Sequence, residues 1–301
     1  MLTCDEYLTP ATLREAFDAM AARQGRYRII AGATDTYPWA REGRAGDVHV
    51  GALIDVSKIP ELNERQIGDT RVRLGAGTPI QRFLDDPALG RAMPEMPRCA
   101  VWFADDQIRA QATIGGNIVN ASPAADVTPC LIAHDATVEL ASAKGRRKAK
   151  LAEFITGPNT TQLAEGELLT AIECDALPGY GGSFEKVGHR RSLVISLACV
   201  ATALRLDAEG RTVEDARLGL AGVCAVPCRL RDVEDFLRGP LTPSRLEQAA
   251  EMPLDLVQSR TRREYRRDIL RGFLMRGLIS AAKRAGADPA ALPQELEAAY
   301  A

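Results

Sequence analysis

Between Ile108 and Leu140 an apolar run is broken by Gly115, Gly116 and Asn117 and then by Pro123, within the stretch TIGGNIVNASPAAD from Thr113 to Asp126. Glycine and asparagine tolerate a positive φ, and a proline stops a preceding helix. The residues therefore predict a loop with exposed backbone N–H groups, followed by a helix that starts at Ala124 and carries Asp126 in its first turn. A second glycine-bearing loop, AGATDT from Ala31 to Thr36, ends a short apolar strand over Tyr27–Ala31. Small residues let backbone amides approach an anion closely, so two such loops facing one another can clasp a pyrophosphate from both sides. Neither loop is a Rossmann fingerprint. Gly75-Ala76-Gly77-Thr78-Pro79-Ile80 has the first two glycines of that motif but not the third, and no GxxxxGK[ST] phosphate loop occurs, which disfavours ordinary nucleotide hydrolysis.

The remaining bounds come from composition. A chain of 301 residues suggests roughly two domains, and 46% hydrophobic with 26% charged residues describes an ordinary globular protein. A net charge of −2 gives no field to gather a phosphate backbone, so no nucleic-acid partner is expected. No apolar run approaches the ~20 residues of a membrane helix, and MLTCDEYLTP carries acids where a signal peptide carries bases, so a cytoplasmic location is expected. The seven cysteines are an odd number, and only Cys224 and Cys228 lie close together; free, mostly buried thiols are expected. With three histidines and no HExxH or CxxC, no metal site is expected on this chain.

Along the chain, Thr9-Pro10 reads as the cap of a helix carrying Leu13, Ala16, Phe17 and Met20. Short strands follow at Asp47–Val50, Leu53–Val56 and Thr70–Leu74, and helical stretches run from Thr78 to near Phe103. Thr137–Leu140 and Glu167–Glu173 read as strands, with the basic stretch Ala143–Lys150 as a solvated turn. Glycine and proline cluster at Leu177–Gly182, a candidate boundary. Beyond it lie strands at Phe184–Val187, Ser196–Leu206 and Val213–Leu220, helices near Val233 and Leu246, and a helix over about Arg263–Lys283. Asp105-Asp106 and His189 read as solvated surface groups, and Trp39 and Trp102 as packing residues.

AGATD at Ala31–Asp35 and TIGGNIVNASPAAD at Thr113–Asp126 resemble the two FAD-binding loops of the flavin (medium) subunit of the molybdenum hydroxylases, the family of xanthine dehydrogenase and carbon monoxide dehydrogenase. The resemblance continues through FEKVGHRRSLVISLA at Phe184–Ala198 and EYRRDILRGFLMRGL at Glu264–Leu278, so it covers nearly the whole chain. Around FITGP at Phe154–Pro158 the chain is similar to the bacterial xanthine dehydrogenase flavin subunit in particular.

That resemblance implies an α+β fold. A PCMH-type FAD-binding domain would occupy residues 1–175, in subdomains of about 1–57 and 58–175. A CO-dehydrogenase-flavoprotein-like C-terminal domain over 176–287 and a tail over 288–301 would follow. It implies that Ile29, Ile30, Ala31, Gly32, Ala33, Thr34, Asp35 and Thr36 wrap the pyrophosphate of FAD, with Thr113, Gly115, Gly116 and Asn117 opposing them. Phe103, Ala104, Ile108 and Ala112 would line the same site and Asp126 would lie near the adenosine ribose. Leu168 or Leu169 would pack on the isoalloxazine ring and Lys186 would sit at its polar edge. No catalytic acid or base is implied: the residues position the ring and tune it. The implied partners are a molybdopterin-binding large subunit and a small subunit with [2Fe–2S] clusters, and the implied role is electron transfer through FAD to NAD or another acceptor. A self-contained FAD oxidase of the wider PCMH-type family is the alternative. The sequence departs from the family pattern at Ala33, where a second glycine is usual, at Arg109-Ala110-Gln111 and at Val194; Ala33 is compatible with the pattern if its φ is negative.

Overall fold

A computed structural model of the chain describes residues 2–42, 49–190, 193–258 and 262–293, and three larger sheets organise it, beside a two-stranded one of Ile155–Gly157 and Thr160–Thr161. The first is parallel, with strands Thr3–Leu8, His49–Asp55 and Tyr27–Ile30 in that order. The helix Leu13–Ala22 buries Leu13, Ala16 and Met20 in a small core with Ile54, Val56 and Ile59. It begins three residues later than Thr9-Pro10 suggests. Thr12 is its cap, accepting from Glu15 N at 3.2 Å, while Glu15 accepts from Ala11 N at 2.8 Å; this reciprocal pair satisfies two end donors that a proline cannot. Leu53–Val56 is not a separate strand. Pairing on both sides carries one strand through His49–Asp55, and Gly51 permits it, since a Cβ there would lie 2.7 Å from Arg26 O. Asp47 and Val48 of the expected first strand lie outside the described residues.

The second sheet is antiparallel, in the order Arg65–Ile67, Arg71–Gly75, Leu168–Asp175, Thr137–Ser142, Gly145–Lys150. Val72, Leu74, Val138, Leu140 and Ile172 enter a core completed by Phe83, Met96, Ile114, Ile118 and Leu131 from the helices that cover it. Ala143–Lys150 is not all turn: Gly145–Lys150 is the edge strand. Arg146, Arg147, Lys148 and Lys150 pair with Glu139, Glu167, Glu173 and Asp135, and a row of long cations on an edge discourages a further strand from adding.

The third sheet, Gly181–Val187, Ala198–Leu206, Thr212–Ala221 and Cys228–Arg229, is also antiparallel, with Gly239–Pro240 paired to the third of these strands. One face receives the helix Arg263–Arg284 through Leu270, Leu274, Leu278 and Ala281. Its first strand is wedged between two backbones. A Cβ at Gly181 would lie 2.1 Å from Ala281 O and one at Gly182 2.2 Å from Pro94 C, so only glycine lets this strand dock on the preceding core. That docking carries Lys186, five residues on from Gly181, to the wall of the cavity described next. None of the described helices is long and apolar enough to cross a membrane.

Candidate functional site

A cavity of about 1020 Å³ opens where the three sheets meet, at the upper end of the ~300–1,000 Å³ typical of small-molecule sites. All twenty residues that the resemblance implies line it: Ile29–Thr36, Phe103, Ala104, Ile108, Ala112, Thr113, Gly115–Asn117, Asp126, Leu168, Leu169 and Lys186. The structure thus brings together positions that are 157 apart in sequence.

The first loop leaves the sheet after Ile30. Among the described residues, no acceptor in the chain takes the backbone N–H of Ala31, Gly32, Ala33, Thr34 or Asp35. A run of unpaired amides at a concave surface is an anion cradle. Ala33 adopts φ 52°, the left-handed region, so the negative φ on which its fit to the pattern depended is not what the backbone shows. Alanine tolerates that region at a cost of roughly 1–2 kcal/mol that glycine does not incur. Gly32 is required by proximity, because a Cβ there would fall 2.0 Å from Gln111 O.

The second glycine segment is not a loop. Thr113 caps a helix over Ile114–Asn120, its Oγ1 accepting from Gly116 N at 3.0 Å. Ile114 N donates to Thr78 O, Gly115 N to Ala76 O and Asn117 N to Thr113 O, so of the Thr113–Asn117 amides only that of Thr113 lacks a partner in the chain. The glycines serve packing rather than positive φ: a Cβ at Gly115 would meet the Ala76 Cβ at 2.6 Å. This helix ends at Asn120, three residues before Pro123, with Ala121 at φ 48° as its cap, and the next one spans Val127–Ala133, with Asp126 at the cap position and not in the first turn. In the lining of the same cavity, Asn117 presents a buried Oδ1 with no hydrogen-bond partner among the described residues, an orphaned acceptor ready for a ligand donor.

Asp126 and Lys186 form one unit. Lys186 Nζ lies 2.5 Å from Asp126 Oδ2, and Ser196 Oγ donates to Oδ1 at 2.5 Å. Burial raises the Asp126 carboxyl above its ordinary range, with Lys186 and Ser196 pulling it back. Direct contact puts both side chains at one point of the cavity wall. Leu168 and Leu169 both reach the cavity although neighbours on a strand face opposite ways; the register shift between Leu169 and Ala171 re-aims them.

Among residues set aside in the sequence, Asp105 caps the helix Asp106–Gln111 and His189 is exposed. Trp102 is not a packing residue: it is 39% exposed. It borders a second, smaller cavity of about 340 Å³ with Lys186, His189, Arg190 and Val194. Sequence reasoning missed Asn120 and Asn159. Asn120 Nδ2 donates to Asp35 Oδ2 at 2.9 Å and so ties the two glycine segments; Asn159, at φ 55°, donates to Asn120 O. The only signal was an asparagine after Gly-Pro, a common turn residue.

The residues fit FAD: an amide cradle for a diphosphate, an orphaned acceptor in the same cavity, and apolar walls from Phe103, Ile108, Leu168 and Leu169 for the rings. Residues 3–174 match the family described as the FAD binding domain in molybdopterin dehydrogenase, and 183–281 the CO dehydrogenase flavoprotein C-terminal domain. The chain is 37% identical over 187 residues to the glyceraldehyde dehydrogenase medium chain of Sulfolobus acidocaldarius, a match that covers 62% of this chain and 66% of that one, just under two thirds of the relative's length. It is 28% identical over 289 residues to the xanthine dehydrogenase FAD-binding subunit of Escherichia coli O157:H7, covering 93% and 97% of the two chains, so the likeness around FITGP does not make xanthine dehydrogenase the most similar relative by identity. A solved carbon monoxide dehydrogenase from Hydrogenophaga pseudoflava that lacks the Mo-pyranopterin moiety of its molybdenum cofactor superposes with a TM-score of 0.86 at 26% identity, over 94% of this chain and 99% of that one. Amide cradle, fold and sequence agree, and the chain belongs to the FAD-binding medium subunits of the molybdenum hydroxylase family.

Proposed function

We propose that this chain is the flavin link of a cytoplasmic molybdenum hydroxylase. A large molybdopterin subunit and a small [2Fe–2S] subunit would deliver electrons to its FAD, and the FAD would pass them to NAD or another acceptor. The observation that carries the reading is the run of five unpartnered amides at Ala31–Asp35, which lines one cavity together with Asn117 and Lys186.

Bound FAD supplies an electron relay that accepts electrons singly and hands them on as a pair. The chain's residues hold and tune it. Ala31–Asp35 offer neutral donors to the diphosphate, Leu168 and Leu169 exclude water from a ring face, and Lys186, already compensated by Asp126, brings a positive group without leaving an unpaired charge. We place both Asp126 and Lys186 at the ring end. The neighbouring 340 Å³ cavity, with Trp102, His189 and Arg190, supports a docking place for a planar, anionic acceptor such as NAD.

Purification of the tagged chain from its native host tests the assembly: two further polypeptides carrying molybdopterin and iron–sulfur clusters are expected, and a flavoprotein that purifies alone would overturn it. Anaerobic addition of NADH to the complex tests the acceptor, since bleaching of the flavin absorbance is expected and an unchanged spectrum would exclude NAD.

A further inference from the structure

Cys224 and Cys228 lie on either side of a three-residue turn between the strands Thr212–Ala221 and Cys228–Arg229. Their sulfurs are 4.0 Å apart, in hydrogen-bond contact, and both residues are part-exposed, unlike the fully buried Cys99, Cys130, Cys174 and Cys199. A disulfide needs about 2.05 Å, a closure of roughly 2 Å that side-chain rotation in a short turn can supply. The turn is also coupled to the flavin cavity. Gly222 N donates to Pro123 O at 2.8 Å, and Ser122 and Ala124, on either side of Pro123, line the cavity.

We propose that Cys224 and Cys228 are a redox-active dithiol, a modification site that closes to an internal disulfide by exchange with a small-molecule disulfide and thereby loosens the adjoining wall of the flavin cavity. The hydrogen bond from Cys224 lowers the Cys228 thiol and raises that of Cys224, which makes Cys228 the attacking thiolate. Cys228 Sγ attacks one sulfur of the reagent, R–S–S–R, and RS⁻ leaves. Cys224 then loses its proton to solvent and attacks Cys228 Sγ, expelling the second RS⁻. Two cysteine thiols are oxidised and one reagent disulfide is reduced to two thiols, with no other oxidant needed. The second half of the proposal rests on the cavity holding FAD.

The test uses the intact, FAD-loaded complex treated with oxidised glutathione, then alkylated and digested with trypsin. Cleavage after Arg217 and Arg229 gives a peptide, Leu218–Arg229, that contains Cys224 and Cys228 and no other cysteine. The expected result is a peptide lighter by two hydrogens that resists alkylation and regains both thiols with dithiothreitol. Two alkylated thiols, or a single glutathione adduct that never resolves, would overturn the disulfide. In the same samples, oxidation is expected to speed FAD release about threefold, as loss of a single hydrogen bond would, and the effect is expected to vanish in Cys228→Ser. A disulfide that forms with no change in FAD release would overturn the coupling, and because FAD content is measured before oxidation, a failure of the FAD reading itself appears separately.

Discussion

Lys186 Nζ sits 2.5 Å from Asp126 Oδ2, with both side chains buried, and so joins the C-terminal sheet to the wall of the flavin cavity. Removing the ammonium while keeping the bulk, as in Lys186→Met, leaves a buried carboxylate without its counter-charge, a change that costs about 3–5 kcal/mol. Burial holds the Asp126 carboxyl above the ordinary aspartate range even with Lys186 present, so the folded state binds its proton more tightly than the unfolded state does. Its contribution to stability is therefore present at low pH and is lost as pH rises through the folded value. The penalty of Lys186→Met is expected to be smaller at about pH 5 than at about pH 8 in urea unfolding; equal penalties would contradict the pairing.

Gly32→Ala builds a methyl 2.0 Å from Gln111 O, and Gly115→Ala one 2.6 Å from the Ala76 Cβ. In both cases the neighbour is backbone or a fixed methyl, so the segments must separate. A stability loss of about 1–3 kcal/mol is expected from each, with weaker FAD binding in Gly32→Ala because the amide cradle moves. Differential scanning calorimetry and quenching of FAD fluorescence on titration check both.

Ala33 occupies the left-handed region at φ 52°. Ala33→Gly relieves that strain but adds freedom to the unfolded chain, so a change between zero and about +1 kcal/mol is expected, with FAD binding retained. Ala33→Val places a branched side chain at the same φ and is expected to lose at least about 1 kcal/mol. A Val variant as stable as the parent would show that the loop does not hold this conformation.

His134 and Glu95 are both fully buried, with Nε2 2.6 Å from Oε1, and His134 Nδ1 lies 2.7 Å from Asp175 O. Burial alone pulls the imidazole down. The Glu95 carboxylate beside it, with the Asp175 carbonyl, outweighs this and leaves the pKa raised. A histidine whose folded pKa exceeds its unfolded one, about 6.5, contributes stability that is full below that value and lost as pH rises through the folded pKa. Unfolding free energy is expected to fall in the parent as pH rises past about 6.5. In His134→Gln that part of the slope is expected to disappear.

The sequence by itself determined much of the element order. Alternating or continuous apolar runs marked Tyr27–Ile30, Arg71–Gly75, Leu168–Asp175 and the three long C-terminal strands, because burial of side chains at period two or over a whole strand leaves a pattern that needs no partner to be read. The two glycine segments, read with the family resemblance, also named the cavity's lining. Only the tertiary structure decided what those glycines do. Gly115 and Gly116 read as a loop with exposed amides, yet they form a helix turn: the close approach of Ala76, over 35 positions away, excludes a Cβ at Gly115 and takes up its amide, while Thr113 Oγ1 takes up that of Gly116. The pairing of Asp126 with Lys186, the tie from Asn120 to Asp35 and the 4.0 Å meeting of Cys224 with Cys228 likewise depend on contacts between segments whose separation no local pattern encodes. Periodicity records which face of an element is buried; which charge or backbone meets that face is fixed only when the sheets dock.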